Sequence, residues 1–257
     1  MKRVERKRNY IWVILLVVSA AVFLLSASKL VSGYAISAAE ESEFKTLAQH
    51  VGLAQQDTSS SCENSAILQQ YTELLKENSE FGGWIRIPGT KIDYPVMFTP
   101  DEPEKYLNRS FLGEYSYKGV PFIGAGCSIA PRSQNIIIYG HHMKDGSMFA
   151  TLERYKNEEF WHEHPTIYFS TLYEKGEYEV FAAIETDIYA AQDLRCYSYI
   201  NKSDQTDFKK YISAIQQASL YNTGIDVKYS DELLTLSTCS YHTNDGRFVV
   251  VAKKIIN

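Results

Sequence analysis

The chain has 257 residues, of which 45% are hydrophobic and 22% charged, so most of it is expected to fold around a core. That composition excludes a collagen-like, coiled-coil or largely disordered chain. The 26 Lys and Arg against 31 Asp and Glu give a net charge of -5, which argues against a dedicated nucleic-acid binder.

The charge is unevenly spread. Residues 1–9 (MKRVERKRN) carry five basic residues and one acidic, and the body that follows is acidic. Between them Tyr10 to Ser28 carries no charge. A run of about 19 apolar residues can just cross the hydrocarbon layer as a helix, and basic residues on its N-terminal side would hold that end in the cytoplasm. The expectation is a basic cytoplasmic tip at 1–9 and an uncleaved, single-pass transmembrane anchor at 10–33, with the body outside the cell. A cleaved signal peptide is the rival reading, because Ser26, Ala27 and Ser28 follow the apolar run.

Residues 34–80 are expected to form a helical stalk and an N-terminal helix. AISAAEESEFKTLAQHVGLAQQ is rich in helix formers, and DTSSSCENS breaks it. SAILQQYTELLKENSEF then sets Ile67, Tyr71, Leu74 and Leu75 on one face. From Gly82 the period changes to alternation. GWIRIPGTKIDYPVMF reads as a hairpin turning at Pro88-Gly89. Further strands are expected at 120–124, 135–140, 166–170, 177–185, 233–241 and 247–255, and helices at 147–157 and 204–219. The strands outnumber the helices and lie close enough in sequence for antiparallel neighbours. The fold class is mainly β, a barrel or sandwich with peripheral helices.

Four cysteines, Cys62, Cys127, Cys196 and Cys239, form no CxxC pair, so a structural zinc site has no support. Outside a cell an even count permits two disulfides. The default for each is a small buried hydrophobe. His162-Glu163-His164 has alternate spacing, but EEFWHEHP reads as a short helix or turn, where such residues point apart. No metal and no cofactor is expected.

Three places can carry chemistry. Tyr139-Gly140-His141-His142-Met143 follows the apolar strand NIIIY, where a rigid scaffold meets a loop. Thr235-Leu236-Ser237-Thr238-Cys239 closes a strand pattern with a thiol. Arg247 lies eight residues on, and Asn244-Asp245-Gly246 between them is a strong turn signal. A hairpin there brings Cys239 and Arg247 to the same end of a sheet. A cysteine thiolate, a histidine to carry a proton and an arginine to stabilise an oxyanion together suffice for acyl transfer. Singly, each has a plainer reading as core thiol, packed ring or surface charge.

The TLSTC motif, followed by an arginine that opens RFVVVAK, is similar to that of the sortases, and YGHHM matches their histidine region. With the N-terminal anchor and the helix at 204–219 ahead of the cysteine strand, the chain resembles class B sortases over about residues 80–257. The resemblance implies a closed β-barrel of about eight strands preceded by N-terminal helices, with the catalytic domain at 81–257. It implies that Cys239 is the nucleophile, His141 the general acid/base and Arg247 the accompanying arginine. Ser237 falls where the family contacts its substrate peptide. Thr238 beside it and Leu107 in the YLN segment are further candidates for that groove, and 186–200 is expected as a substrate-facing loop. Some class B members have an acidic residue just after the cysteine. Here Ser240-Tyr241 stand there, so a carboxylate role stays unassigned, with Asp245 in the same loop.

The implied activity is a cysteine transpeptidase. It would cleave a C-terminal sorting signal, of NP-x-T-x type, from a secreted protein through a thioacyl intermediate. It would then join that protein to an amine of the cell-wall peptide or its lipid-linked precursor. A peptidase acting only by hydrolysis, a pilin-assembling sortase and a binding module with an inert cysteine are the alternatives.

Overall fold

The computed structural model describes residues 2–56, 67–201, 204–241 and 243–255. The expected break at DTSSSCENS and Cys62 within it lie outside the described residues. The chain divides into two compact units, Met1–Thr46 and Leu47–Asn257.

One helix, α1 (Lys2–Gln56), covers the N-terminal region. The expected anchor is corrected here: among the described residues no helix is long and apolar enough to cross a membrane. The charge-free run is a limited stretch of that 55-residue helix, bounded by Arg8 on one side and Lys29 on the other. The cytoplasmic placement of the tip and the outside placement of the body rested on that anchor and fall with it.

The second unit is built on eight strands: β1 (Phe81–Arg86), β2 (Asp93–Met97), β3 (Phe122–Ile123), β4 (Asn135–Tyr139), β5 (Thr166–Thr171), β6 (Glu177–Asp187), β7 (Leu233–Cys239) and β8 (Gly246–Lys254). They close into a barrel in the order β1-β2-β3-β4-β7-β8-β6-β5. The hairpin expected at Pro88-Gly89 joins β1 to β2, antiparallel. Two pairs depart from the expected antiparallel pattern: β2 with β3, and β4 with β7, are parallel. Short helices flank the strands: α2 (Thr72–Glu77), α3 (Glu158–Glu163), which carries His162, and α4 (Ile188–Asp193). Tyr71 and Leu74 of the expected apolar face are buried, whereas Ile67 is exposed. The helix expected at 147–157 is a 3-10 run, Phe149–Lys156.

The last helix, α5 (Gln205–Ala218), shows how the barrel acquires an outside. Asp204 caps it by accepting from the amides of Thr206 and Asp207, at 2.7 and 2.9 Å. Its Phe208, Tyr211, Ile212 and Ile215 pack with Ile184 of β6, Leu233 of β7, and Val249 and Val251 of β8. Directly paired residues share a face. Leu233, Thr235, Ser237 and Cys239 therefore point outward with Arg247, Val249 and Val251. Leu234, Leu236, Phe248 and Val250 have the opposite parity and fill the interior. Beyond α5 the outward face is left for the site.

The loop after β4 is pinned at its tip. Asp145 binds Lys118 Nζ at 2.8 Å and accepts from Ser147 N at 2.9 Å. Phe149 N donates to His141 O at 2.9 Å and closes the loop at its base. Burial would raise the Asp145 carboxyl, but the Lys118 and Ser147 donors outweigh it and hold it at about 2, against an ordinary 3.8.

Two outcomes follow from this packing. Ile215→Ala, at a side chain with no exposed surface, loses about 2–5 kcal/mol in denaturant titration. The exposed Lys209→Ala in the same helix stays within about 0.5 kcal/mol. Because the folded-state value of Asp145 is depressed, its carboxylate stabilises the fold above about pH 4, and that support is lost as pH falls toward 2. The gap in melting temperature between wild type and Asp145→Asn is therefore widest near neutral pH and closes between pH 4 and pH 2.

Candidate active site

Strand register assembles the site. Tyr139 pairs with Ser237 across β4 and β7, and Phe122 pairs with Tyr139 across β3 and β4. Cys239 pairs with Arg247 across β7 and β8. All five therefore stand on the outward face. They line a cavity of about 470 Å³ together with Leu107, His141, Ile188, Tyr197 and Thr238. Every site residue named from the sequence reaches this one cavity, although the chain positions span Leu107 to Arg247.

Two main-chain tethers fix the histidine to the cysteine strand. Thr238 Oγ1 donates to Gly140 O at 2.8 Å, and Gly140 N donates to Ser237 O at 3.2 Å. The Thr238 hydroxyl is thus committed to the scaffold of the site. Gly140 is required by crowding, since a Cβ there would lie 2.7 Å from the Phe149 ring. His141 Nε2 lies 2.8 Å from Leu107 O. A carbonyl only accepts, so Nε2 carries the proton and donates it. Leu107 therefore meets the histidine through its backbone as well as lining the cavity. Glycine is required at position 119, at φ +59°, because a Cβ there would lie 2.4 Å from Leu107 O.

Cys239 differs from the other described cysteines. Cys127, Cys196 and Cys239 are all free thiols, but the first two are buried and Cys239 is exposed. Burial pushes the Cys127 thiol up and the Cys196 thiol to about 12, so both remain protonated and inert. Arg247 turns its Nη1 to Gly246 O at 2.9 Å, leaving a fixed cation opposite the cysteine across the hairpin. Ser237 Oγ donates to Tyr197 Oη at 3.3 Å, and the Tyr197 ring lies 5.7 Å from that of Tyr139. Among the described residues no group of three or more His, Cys, Asp or Glu is placed to hold a metal ion.

Sequence reasoning missed Phe122, Tyr139 and Tyr197 as walls of the site. Alternation along β4 from the buried Ile137 could have found Tyr139. The segment 186–200, expected as a substrate-facing loop, is the end of β6, then α4 and turns, and it lines the cavity with Ile188 and Tyr197, neither of which was singled out.

The sortase domain family matches residues 85–255. Sortase B of Staphylococcus aureus is 32% identical over 247 residues, covering 94% of this chain and 94% of that protein. The solved S. aureus sortase B–substrate complex is similar with a TM-score of 0.76 at 29% identity, covering 85% of this chain and 97% of that one. A sortase B complexed with triglycine gives a TM-score of 0.74 at 29% identity, over 85% and 98%. With the fold, the outward thiol and these likenesses in agreement, the chain belongs to the sortase family, as a cysteine transpeptidase of class B.

Proposed function

We propose that Cys239 is the nucleophile, His141 the proton carrier and Arg247 the oxyanion partner. In this reading the protein cleaves a C-terminal sorting signal and joins the upstream polypeptide to a peptidoglycan-type amine. The observation that carries the reading is the convergence of the exposed Cys239, His141 and Arg247 on one cavity. The similar structures with a substrate and with triglycine support a peptide donor and an amine acceptor. Residues 81–257 form the catalytic domain in this reading, in keeping with the family match over 85–255.

The chemistry runs in two halves. The Cys239 thiolate adds to the scissile carbonyl, and Arg247 stabilises the oxyanion. His141 gives a proton to the departing amine, leaving a thioester on Cys239. With Nε2 held by Leu107, Nδ1 is the nitrogen left to carry the moving proton. The acceptor amine then adds to the thioester, loses a proton to His141 and releases Cys239. Water in place of the amine gives the free acid. Ser237, Thr238 and Leu107 line the groove for the signal peptide, with Tyr197 bonded to Ser237 on the same wall.

Full-length protein and Cys239→Ala, incubated with quenched sorting-signal peptides with and without a glycine-based amine, provide the test. Mass analysis is expected to find amide-linked product from the wild type alone. Free acid as the sole product at every amine concentration would leave a hydrolase. No cleavage together with a Cys239 that resists alkylation would leave an inert module. Arg247→Lys keeps a charge but loses the planar fork, and is expected to lower kcat by about 10²-fold with the thiol still alkylatable.

A further inference from the structure

We propose that Glu153 is a positioning carboxylate behind this active site, which holds the main chain on both sides of the Cys239 carbonyl through Ser240 and His142. The proposal rests on the reading of Cys239 as nucleophile.

β7 ends at Cys239, and its pairing with Arg247 is the last rung of the β7–β8 ladder. Beyond it one backbone bond remains, Ser240 N donating to Gly246 O at 2.8 Å, before the loop begins. Two side-chain contacts add to that hold. His142 Nδ1 lies 2.9 Å from Cys239 O and, facing a carbonyl, must donate. Ser240 is buried, and its Oγ donates to Glu153 Oε1. The same carboxylate presents Oε2 at 3.7 Å from His142 Nε2, beyond a direct hydrogen bond and an ion pair only when the ring carries a proton on both nitrogens. Tyr241 covers the pair: its hydroxyl donates to His142 O at 2.9 Å, and its ring lies 4.8 Å from the imidazole. Lys156 stands behind Glu153 at 3.4 Å and binds Glu185 as well.

Burial would raise the Glu153 carboxyl, but Ser240, His142 and Lys156 outweigh it, so Glu153 stays ionised. Asp245, the carboxylate nearest in sequence, occupies the hairpin turn at φ +64°. Glu153 comes from the 3-10 run Phe149–Lys156, 87 positions before Ser240, and reaches it only through the fold.

Glu153 does not line the cavity that His141, Cys239 and Arg247 share. Its removal should therefore alter the geometry of the nucleophile and leave peptide binding nearly unchanged. Small misplacements of a reacting group cost up to about 10²-fold in rate. The test compares full-length wild type, Glu153→Ala, Glu153→Gln, Ser240→Ala, the Glu153→Ala/Ser240→Ala double variant and Cys239→Ala on one quenched sorting-signal peptide. Rates are normalised to alkylatable Cys239, and melting temperature is recorded. Glu153→Ala is expected to lose about tenfold or more in kcat with KM within about twofold. Glu153→Gln, whose amide oxygen still accepts from Ser240, should recover most of that loss. The double variant should be no slower than Glu153→Ala alone. Wild-type kcat in folded Glu153→Ala, no recovery in Glu153→Gln, or additive losses in the double variant would each overturn the proposal. An inactive Cys239→Ala beside any of these leaves the nucleophile reading standing and removes the positioning role alone. An active Cys239→Ala removes both.

Discussion

Side-chain alternation along three hydrogen-bonded strands decides where this protein can do chemistry. β4, β7 and β8 pair in a register that puts Tyr139, Ser237, Cys239 and Arg247 on the outer surface of the barrel. A slip of one residue in β7 would turn Cys239 toward the interior and carry Leu234 and Leu236 out of it. That register is specified by the opposite parity, whose apolar side chains have no other place to go. The core thus fixes the reactive thiol's direction without touching it. The contrast with Cys127 and Cys196, buried and held protonated, shows how far environment separates three chemically identical side chains.

The same outer face is divided between stability and function. At the end of β7 and β8 nearer Leu233, α5 covers it with Phe208, Tyr211, Ile212 and Ile215. At the Cys239 end the covering stops, and α4 with Tyr197 forms one wall of an open cavity. An outward-facing apolar position under α5 contributes to the core, whereas a position two or four residues along the same strand borders the cavity. Ser237 and Val249, paired across the strands, mark the border.

What could be read from the sequence was short in range. The turn at Asn244-Asp245-Gly246 placed Cys239 opposite Arg247 because a hairpin leaves little choice of partner. The Asp204 cap and the apolar spacing of α5 were likewise local signals. The parallel pairing of β4 with β7 was not readable, since about a hundred residues separate the strands and a periodicity of two is the same in either direction. The contact of Leu107 O with His141 was equally hidden, because a backbone carbonyl leaves no trace in residue identity. The N-terminal run misled for a related reason. Apolar residues alone gave an expectation of a span, and among the described residues no helix is long and apolar enough for one.

The carboxylate question shows the same limit in reverse. Sequence offered only neighbours of Cys239, and Asp245 was the nearest acid. The fold supplies Glu153 from a distant segment and joins it to Ser240, the residue standing where some class B members carry an acid. A serine can relay such a contact because its hydroxyl donates to a carboxylate while its place in the chain sets it next to Cys239. One short polar side chain plus a remote carboxylate then takes the place of an acid next to the cysteine, and the negative charge is held away from the cavity. Glu153 faces Ser240, His142 and Lys156, so its charge is balanced by the donors that surround it. The cavity that the thiol shares is lined by two basic groups, His141 and Arg247, and by the carboxylate of Glu104.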